Sequence, residues 1–138
     1  MIKSMKGKIL MDKIKLTELT VNTVIGIWDW EKRNPQKVVF DIEMSTDISK
    51  ASKSDSIKDA LDYKLISKRV KQYALENQFD LIETLADKVA EIILNEFEVS
   101  WVKLTISKPY AIRDSKNVSL MIERSRGCTQ RIQYSIYF

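Results

Sequence analysis

The sequence predicts an α+β domain in which a four-stranded antiparallel sheet carries two helices on one face. Two observations predict this architecture. In four segments, apolar and polar residues alternate with the period of two that is typical of strands. Between the second and the third of these segments, apolar residues recur at helical spacing instead. The expected order is therefore β-β-α-α-β-β, in one domain without internal repeats.

The first two strands are expected at residues 13–25 and 37–47. The first is rich in β-branched residues and ends at Gly26. Residues 26–35 contain turn formers, which favours an antiparallel hairpin with a long loop. Residues 49–59 are rich in Ser, Lys and Asp and are expected to form another loop.

Two helices and two further strands follow. The first helix begins at about Tyr63, and the second covers residues 81–97 with a broad apolar stripe. Alternation returns in residues 101–107 and 118–123, which are the third and fourth strands. Residues 108–117 form the loop between them.

The predicted sheet leaves two edges open, and its first strand is unusually long. Two helices cover only one face of four strands, and exposed edges invite pairing with other strands. We therefore expect the sheets of several identical subunits to join edge to edge into one closed, symmetric barrel with the helices outside. The domain itself is expected at residues 11–126, after an N-terminal extension (residues 1–10) and before a C-terminal tail (residues 127–138).

The composition narrows the chemistry that the chain can perform. Its 138 residues include no histidine and one cysteine, Cys128. Zinc sites and histidine-dependent nucleophilic sites are excluded in their ordinary forms, so no metal is expected and acid–base chemistry falls to Lys, Tyr, Asp or Glu. The net charge is +4, but the basic residues do not form the stripe that is typical of nucleic-acid-binding proteins. The lone cysteine, and the lack of a secretory signal or a membrane-spanning apolar run, indicate a cytoplasmic protein.

Lys108 is the first candidate for acid–base chemistry. It ends the third strand and precedes Pro109, which forces the backbone of the lysine to be extended and so fixes the direction of its amine. The alternative is an ordinary surface lysine at the end of a strand.

Three further residues have both a functional and a structural interpretation. Tyr63, at a junction between a loop and a helix, can exchange a proton or simply pack. Glu83, in the first turn of the second helix, complements the helix dipole or holds the amide and amine edge of a guanine or pterin. Glu31 lies beside two tryptophans, in a loop that is either exposed or one wall of a heterocycle pocket.

Five short segments together resemble the dihydroneopterin aldolase family of folate biosynthesis. They are residues 26–31 (GIWDWE), 61–63 (LDY), 81–86 (LIETLA), 106–109 (ISKP) and 117–119 (NVS). Each motif is weak by itself, but the five occur in the order and spacing of the family. The resemblance covers about residues 11–124. It implies the tunnelling fold, in which four subunits close a barrel and two such rings stack into an octamer with active sites between neighbouring subunits.

The resemblance also implies a reaction. Members of this family cleave 7,8-dihydroneopterin by a retro-aldol reaction to 6-hydroxymethyl-7,8-dihydropterin and glycolaldehyde, and many also epimerise the side chain at C2′. They use neither a metal nor a Schiff base. No cofactor is needed, because the dihydropterin ring can hold the electrons of the broken C–C bond as an enamine.

By position, the resemblance assigns roles to site residues. Lys108 matches the acid/base lysine, Tyr63 the tyrosine that works with it, and Glu31 the glutamate near the reacting end. Glu83 matches the carboxylate that anchors the pterin amino group and ring NH. Because sites lie between subunits, Tyr63 is expected to come from a different subunit than Lys108 and Glu83. The other residues expected to bind substrate are Ile82, through its backbone, Leu81, Ile27 and Asp62.

Several alternatives stay open. Lys108 acts either as a neutral base or as a charged group that polarises Tyr63 or a water molecule. Dihydroneopterin triphosphate 2′-epimerases share the fold, although residues 29–31 and the Lys-Pro pair look more like the aldolase. A non-catalytic pterin- or purine-binding module would keep Glu83 and could dispense with Lys108 and Tyr63. Tyr110 stands where many relatives have a small residue, and either narrows the pocket or covers it. A tetramer remains the alternative to an octamer.

Overall fold

A computed structural model of the protein describes residues 11–126. The predicted extension and tail, residues 1–10 and 127–138, lie outside the described residues. Within the described range no helix is both long and apolar enough to cross a membrane. In chain order the elements are β1 (Asp12–Thr23), α1 (Asp29–Arg33), β2 (Gln36–Thr46), α2 (Ser49–Ser54), a 3-10 helix (Ile57–Asp59), α3 (Tyr63–Glu76), α4 (Ile82–Glu96), β3 (Trp101–Pro109) and β4 (Asn117–Ser125).

The four strands pair in sequence order, and each neighbouring pair is antiparallel. The predicted α+β class and the order of its main strands and helices are therefore confirmed. The pairing of β1 with β2 shifts register between Leu16 and Leu19. Glu18 has a φ of 55° at this irregularity, and its N–H donates to Oδ1 of Asp41 over 2.9 Å. The long first strand is thus bent rather than flat, as strands with bulges are.

Two connections contain helices that the sequence did not predict. The short helix α1 lies within residues 26–35, and α2 with the 3-10 helix occupies residues 49–59, where the prediction of a loop was wrong. The side chain of Asp47 accepts a hydrogen bond from the N–H of Ser49 over 3.0 Å, and Asp55 ends α2 in the left-handed conformation. Because α2 buries none of its side chains, it has no apolar periodicity from which it could be predicted.

The hydrophobic core lies between the sheet and the helices α3 and α4. Phe40 and Ile42 of β2 and Leu104 and Ile106 of β3 are fully buried, and each such side chain stabilises the fold by about 1.5–3 kcal/mol. The helices contribute Ile66, Val70, Ala74, Leu85, Ala86, Val89, Ala90 and Ile93. Because alternate residues of a strand share a face, Lys108 continues the buried row of β3 on the helix side of the sheet.

The two ends of the sheet carry different parts of the helices. At the end where β3 stops, the Lys108 end, Oγ1 of Thr23 in β1 donates to the carbonyl oxygen of Ala74 near the end of α3 over 2.8 Å. At the end where β3 begins, the Trp101 end, Arg126 donates hydrogen bonds to carbonyl groups at the end of α4. Helix α3 therefore runs from the Trp101 end to the Lys108 end, and α4 runs back.

Candidate active site

Lys108 and Glu31 form an ion pair at the Lys108 end of the sheet. Nζ of Lys108 donates to Oε2 of Glu31 over 2.9 Å, and the two side chains are 13% and 7% exposed. Every other ion pair within residues 11–126 has at least one side chain that is 43% exposed or more. Exposed pairs contribute little to stability, whereas burying two charges costs desolvation free energy. The isolation of this pair from water therefore indicates a role other than stability.

The carboxylate of Glu31 is held by three donors. Besides Lys108, Nε2 of Gln36 donates to Oε2 and the N–H of Trp28 donates to Oε1, each over 3.2 Å. Burial raises the pKa of Glu31, but the hydrogen bonds from Lys108, Gln36 and Trp28 together lower it below its ordinary value of 4.5. Glu31 is therefore ionised at neutral pH. Gln36 is itself fixed, because Nε2 also donates to the carbonyl oxygen of Ile25 over 2.8 Å.

Gly26 makes room for this carboxylate. Its φ is +134°, a conformation that L side chains rarely adopt. A Cβ atom at this position would overlap the carboxylate carbon and oxygens of Glu31. The backbone is also anchored, since the N–H of Gly26 donates to the carbonyl oxygen of Phe79 over 3.1 Å. Glycine is thus the residue type that lets Glu31 fold back against the end of β1.

The segment before α4 is attached to the same end of the sheet. Phe79 forms a parallel bridge with Ile25, and Nζ of Lys32 in α1 donates to Oδ1 of Asp80 over 2.7 Å. The segment just before α4 is thus held to α1, and Glu83 follows Asp80 by three residues.

Four of the predicted substrate-binding residues therefore lie at the Lys108 end. Glu83 is exposed in the first turn of α4, next to Leu81, the exposed N-cap residue, and Ile82, which packs partly against the core. Ile27, just after Gly26, is exposed as well. A carboxylate beside apolar side chains is a suitable surface for a flat, polar-edged heterocycle. In the described part of the chain, no three Asp, Glu, Cys or His side chains cluster so as to hold a metal ion.

Tyr63 and Asp62 lie at the opposite, Trp101 end. Asp62 is the N-cap of α3, and its Oδ1 accepts from the N–H of Leu65 over 3.0 Å. Tyr63, the first residue of the helix, is 50% exposed. A cavity of about 770 Å³ opens beside Asp62, with Thr46 and Phe97 also in its lining. One chain thus brings Lys108, Glu31 and the Glu83 region together, and it does not bring Tyr63 to them.

Two residues of the site were missed by the sequence patterns. Gly26 was interpreted as the end of the first strand and as part of the first motif, but not as the position that leaves space for Glu31. Gln36 carries no sequence signal, because a polar residue at the start of a strand is ordinary. Its role depends on two distant acceptors, the carboxylate of Glu31 and the carbonyl group of Ile25, which only the fold brings within reach.

The similarity to known proteins covers nearly the same residues as the described fold. Residues 14–123 match the family model described as dihydroneopterin aldolase (FolB). The chain is 43% identical to the dihydroneopterin aldolase of Escherichia coli (strain K12) over 117 residues, which are 85% of this chain and 96% of that protein. It is 31% identical to the dihydroneopterin triphosphate 2′-epimerase of the same strain over 113 residues, 82% of this chain and 94% of that protein.

A solved structure shows the same similarity. The crystal structure of E. coli dihydroneopterin aldolase in complex with neopterin superimposes with a TM-score of 0.81 at 43% identity, and the match covers 83% of this chain and all of that one. The resemblance predicted from five short motifs is confirmed. On the combined match of sequence and fold, the chain belongs to the dihydroneopterin aldolase family.

Proposed function

We propose that the protein cleaves 7,8-dihydroneopterin by a retro-aldol reaction to 6-hydroxymethyl-7,8-dihydropterin and glycolaldehyde. The observation that carries this proposal is the buried Lys108–Glu31 pair, which fixes an amine at the end of the sheet where α4 begins. The reaction removes one proton from a hydroxyl group and returns one to a pterin carbon. Family membership, and the relatives that carry this activity in their names, support the substrate class.

Lys108 works as an ammonium group in this proposal. Nζ of Lys108 donates to the ionised carboxylate of Glu31 over 2.9 Å, which is the geometry of an ammonium–carboxylate ion pair. A charged amine is not a nucleophile, so the reaction proceeds without a Schiff base. The ammonium polarises the phenol of Tyr63 or a water molecule, and this relay accepts the hydroxyl proton and gives one to the pterin carbon. The dihydropterin ring holds the electrons of the broken bond as an enamine, so neither a metal nor a cofactor takes part.

Tyr63 reaches this site from a neighbouring subunit. It begins α3, whose 14 residues separate it from the Lys108 end by about 20 Å at the rise of an α-helix. Strands β1 and β4 are the two edges of the sheet, and each presents unpaired backbone groups to another chain. We propose that these edges join subunits into a four-membered ring and that two rings form an octamer. The ring then places the Tyr63 of one chain at the Lys108 of the next.

Glu83 and the backbone of Ile82 hold the amino and ring NH groups of the pterin, because a carboxylate can accept two parallel hydrogen bonds from such an edge. Ile27 and Leu81 provide exposed apolar contacts for the ring. Asp62 orients the neighbouring Tyr63 by capping α3. The single cysteine suits the reducing cytoplasm, which we propose as the location.

Glycolaldehyde release from 7,8-dihydroneopterin tests the proposal directly. We expect stoichiometric glycolaldehyde and 6-hydroxymethyl-7,8-dihydropterin. Formation of the C2′ epimer without glycolaldehyde would instead support the epimerase alternative, to which the chain has a 31% identical relative. Epimer formed alongside glycolaldehyde agrees with the proposal, because both reactions can share the same enamine.

Lys108→Ala separates an enzyme from a non-catalytic binding module. We expect turnover to fall by about 10²–10⁴-fold, the usual contribution of a positioned proton-transfer group, while neopterin still binds. Lys103→Ala is the matched control, since Lys103 lies on the same strand five residues earlier and faces the other side of the sheet. Turnover that is equally insensitive to both substitutions would remove Lys108 from the mechanism.

A further inference from the structure

Tyr110 follows the proton-exchanging lysine by two residues and has an unusual backbone conformation. Its φ is +59°, in the left-handed region, where a bulky L residue is strained. The two flanking hydrogen bonds fix this conformation: the N–H of Tyr110 donates to Lys116 over 2.8 Å, and the N–H of Ala111 donates to Lys108 over 3.3 Å. Both are backbone-to-backbone bonds that glycine would make equally well.

The fold does not account for an aromatic side chain at this position. Tyr110 is 77% exposed, so its ring contributes little apolar burial that could offset the strain. Strained, poorly packed residues of this kind cluster at ligand contacts. The side chain is therefore better explained by something that binds next to it.

The position of Tyr110 restricts which ligand group can bind next to its side chain. Two residues of extended chain span at most about 7 Å, so the phenol ring lies within reach of whatever contacts Nζ of Lys108. Exposure rises along the end of the strand, from the fully buried Ile106 through Lys108 to Tyr110. Tyr110 thus follows the reacting group on the exposed side of it. Because the proposed function turns the reacting carbons toward Lys108, we take the substituent of a bound pterin to extend past Lys108 in this direction.

We propose that Tyr110 determines substrate specificity by limiting the length of the pterin substituent. The ring closes the space past Lys108, so that the short trihydroxypropyl chain of dihydroneopterin fits and a triphosphate ester of the same chain does not. This inference rests on the proposed function. It adds to that function the residue that excludes phosphorylated substrates.

The test compares binding of two oxidised, unreactive ligands, neopterin and neopterin triphosphate, to the intact protein. We expect Tyr110→Gly to improve the affinity for the triphosphate relative to neopterin by about tenfold or more, the scale on which pocket shape discriminates ligands. Tyr110→Phe should keep the original preference, because the ring rather than the hydroxyl fills the space. Tyr110→Gly should also keep or raise the melting temperature, since glycine tolerates a positive φ.

Asp114→Gly is the matched control. Asp114 has a φ of 69° in the same loop, so its replacement relieves similar strain six residues away from Lys108. It should leave the ratio of the two affinities unchanged. An unchanged ratio in Tyr110→Gly, or the same change in Asp114→Gly, would overturn the inference while leaving the proposed function intact. If the wild-type protein fails to bind neopterin at all, both proposals fail together.

Discussion

The Lys108 end and the Trp101 end of the sheet differ in how much of a site one chain completes. At the Lys108 end, Glu31 is buried, ionised and hydrogen-bonded to three partners, and Gly26 leaves space for it. At the Trp101 end, Tyr63 is half exposed on the first turn of α3, next to Asp62, which lines a cavity of about 770 Å³. The first end is preorganised within the chain, whereas the second presents an exposed phenol to solvent.

This difference supports the proposal that the site is divided between copies of one chain. Charges need their partners within the same chain if they are to be buried without a large desolvation penalty during folding. An exposed phenol carries no such penalty, so it can stay exposed on one subunit until another subunit binds next to it. In the proposed function, the two ends are halves of one site, and the edge strands β1 and β4 join subunits so that halves from different chains meet.

Mixed oligomers of two inactive variants test this division with the largest expected effect. Lys108→Ala and Tyr63→Phe should each abolish most turnover. When the two chains are co-expressed and hetero-oligomers are purified through two different tags, roughly a quarter of the sites should combine an intact Lys108 with an intact Tyr63, as random neighbours in a ring require. We therefore expect glycolaldehyde release to return to about a quarter of the wild-type rate.

The matched control mixes Lys108→Ala with Glu31→Ala. Both residues lie at the Lys108 end of one chain, so no combination of subunits restores a complete pair. Activity should stay at the level of the separate variants. Recovery in this control, or none in the mixture with Tyr63→Phe, would show that the two ends are not divided as proposed.

Gly26→Ala should destabilise the fold and disrupt the Lys108 end. Its Cβ would overlap the Glu31 carboxylate and would require a φ that alanine avoids, so we expect a loss of about 2–4 kcal/mol in the free energy of unfolding. Urea denaturation measures this loss. If the carboxylate is the cause, adding Glu31→Ala should recover part of it, because the double variant removes the overlapping atoms. Strictly additive losses would attribute the whole effect to the backbone of Gly26.

The periodic parts of the fold could be predicted from the sequence, and the contacts of the site could not. The strands and the helices α3 and α4 bury one face, so their residues alternate with a readable period. The α2 segment was mistaken for a loop because it buries no side chain.

The site residues differ in the same way: some could be predicted from the sequence and others could not. Lys108, Glu31 and Glu83 stood out through their neighbours in the motifs, and the Lys-Pro pair predicted a fixed direction for the amine of Lys108. The ion pair of Lys108 with Glu31 spans 77 positions and depends on Gln36, whose amide has two distant acceptors. No local pattern encodes such a contact, because it arises from the packing of α1 against the end of the sheet.

Acid unfolding provides the finest test of the preorganised end. The folded state lowers the pKa of Glu31 below its ordinary value of 4.5, so its ionised form stabilises the protein above that pH, and this contribution is lost as the pH falls through the lowered pKa. Glu31→Gln cannot ionise. The difference in unfolding free energy between wild type and Glu31→Gln should therefore be largest near pH 7 and should narrow as the pH falls below the ordinary value of 4.5. Glu91→Gln, at an exposed carboxylate on α4, should show no such narrowing. A constant difference for Glu31→Gln at every pH would mean that the charge of Glu31 is not what the Lys108 end is built to hold.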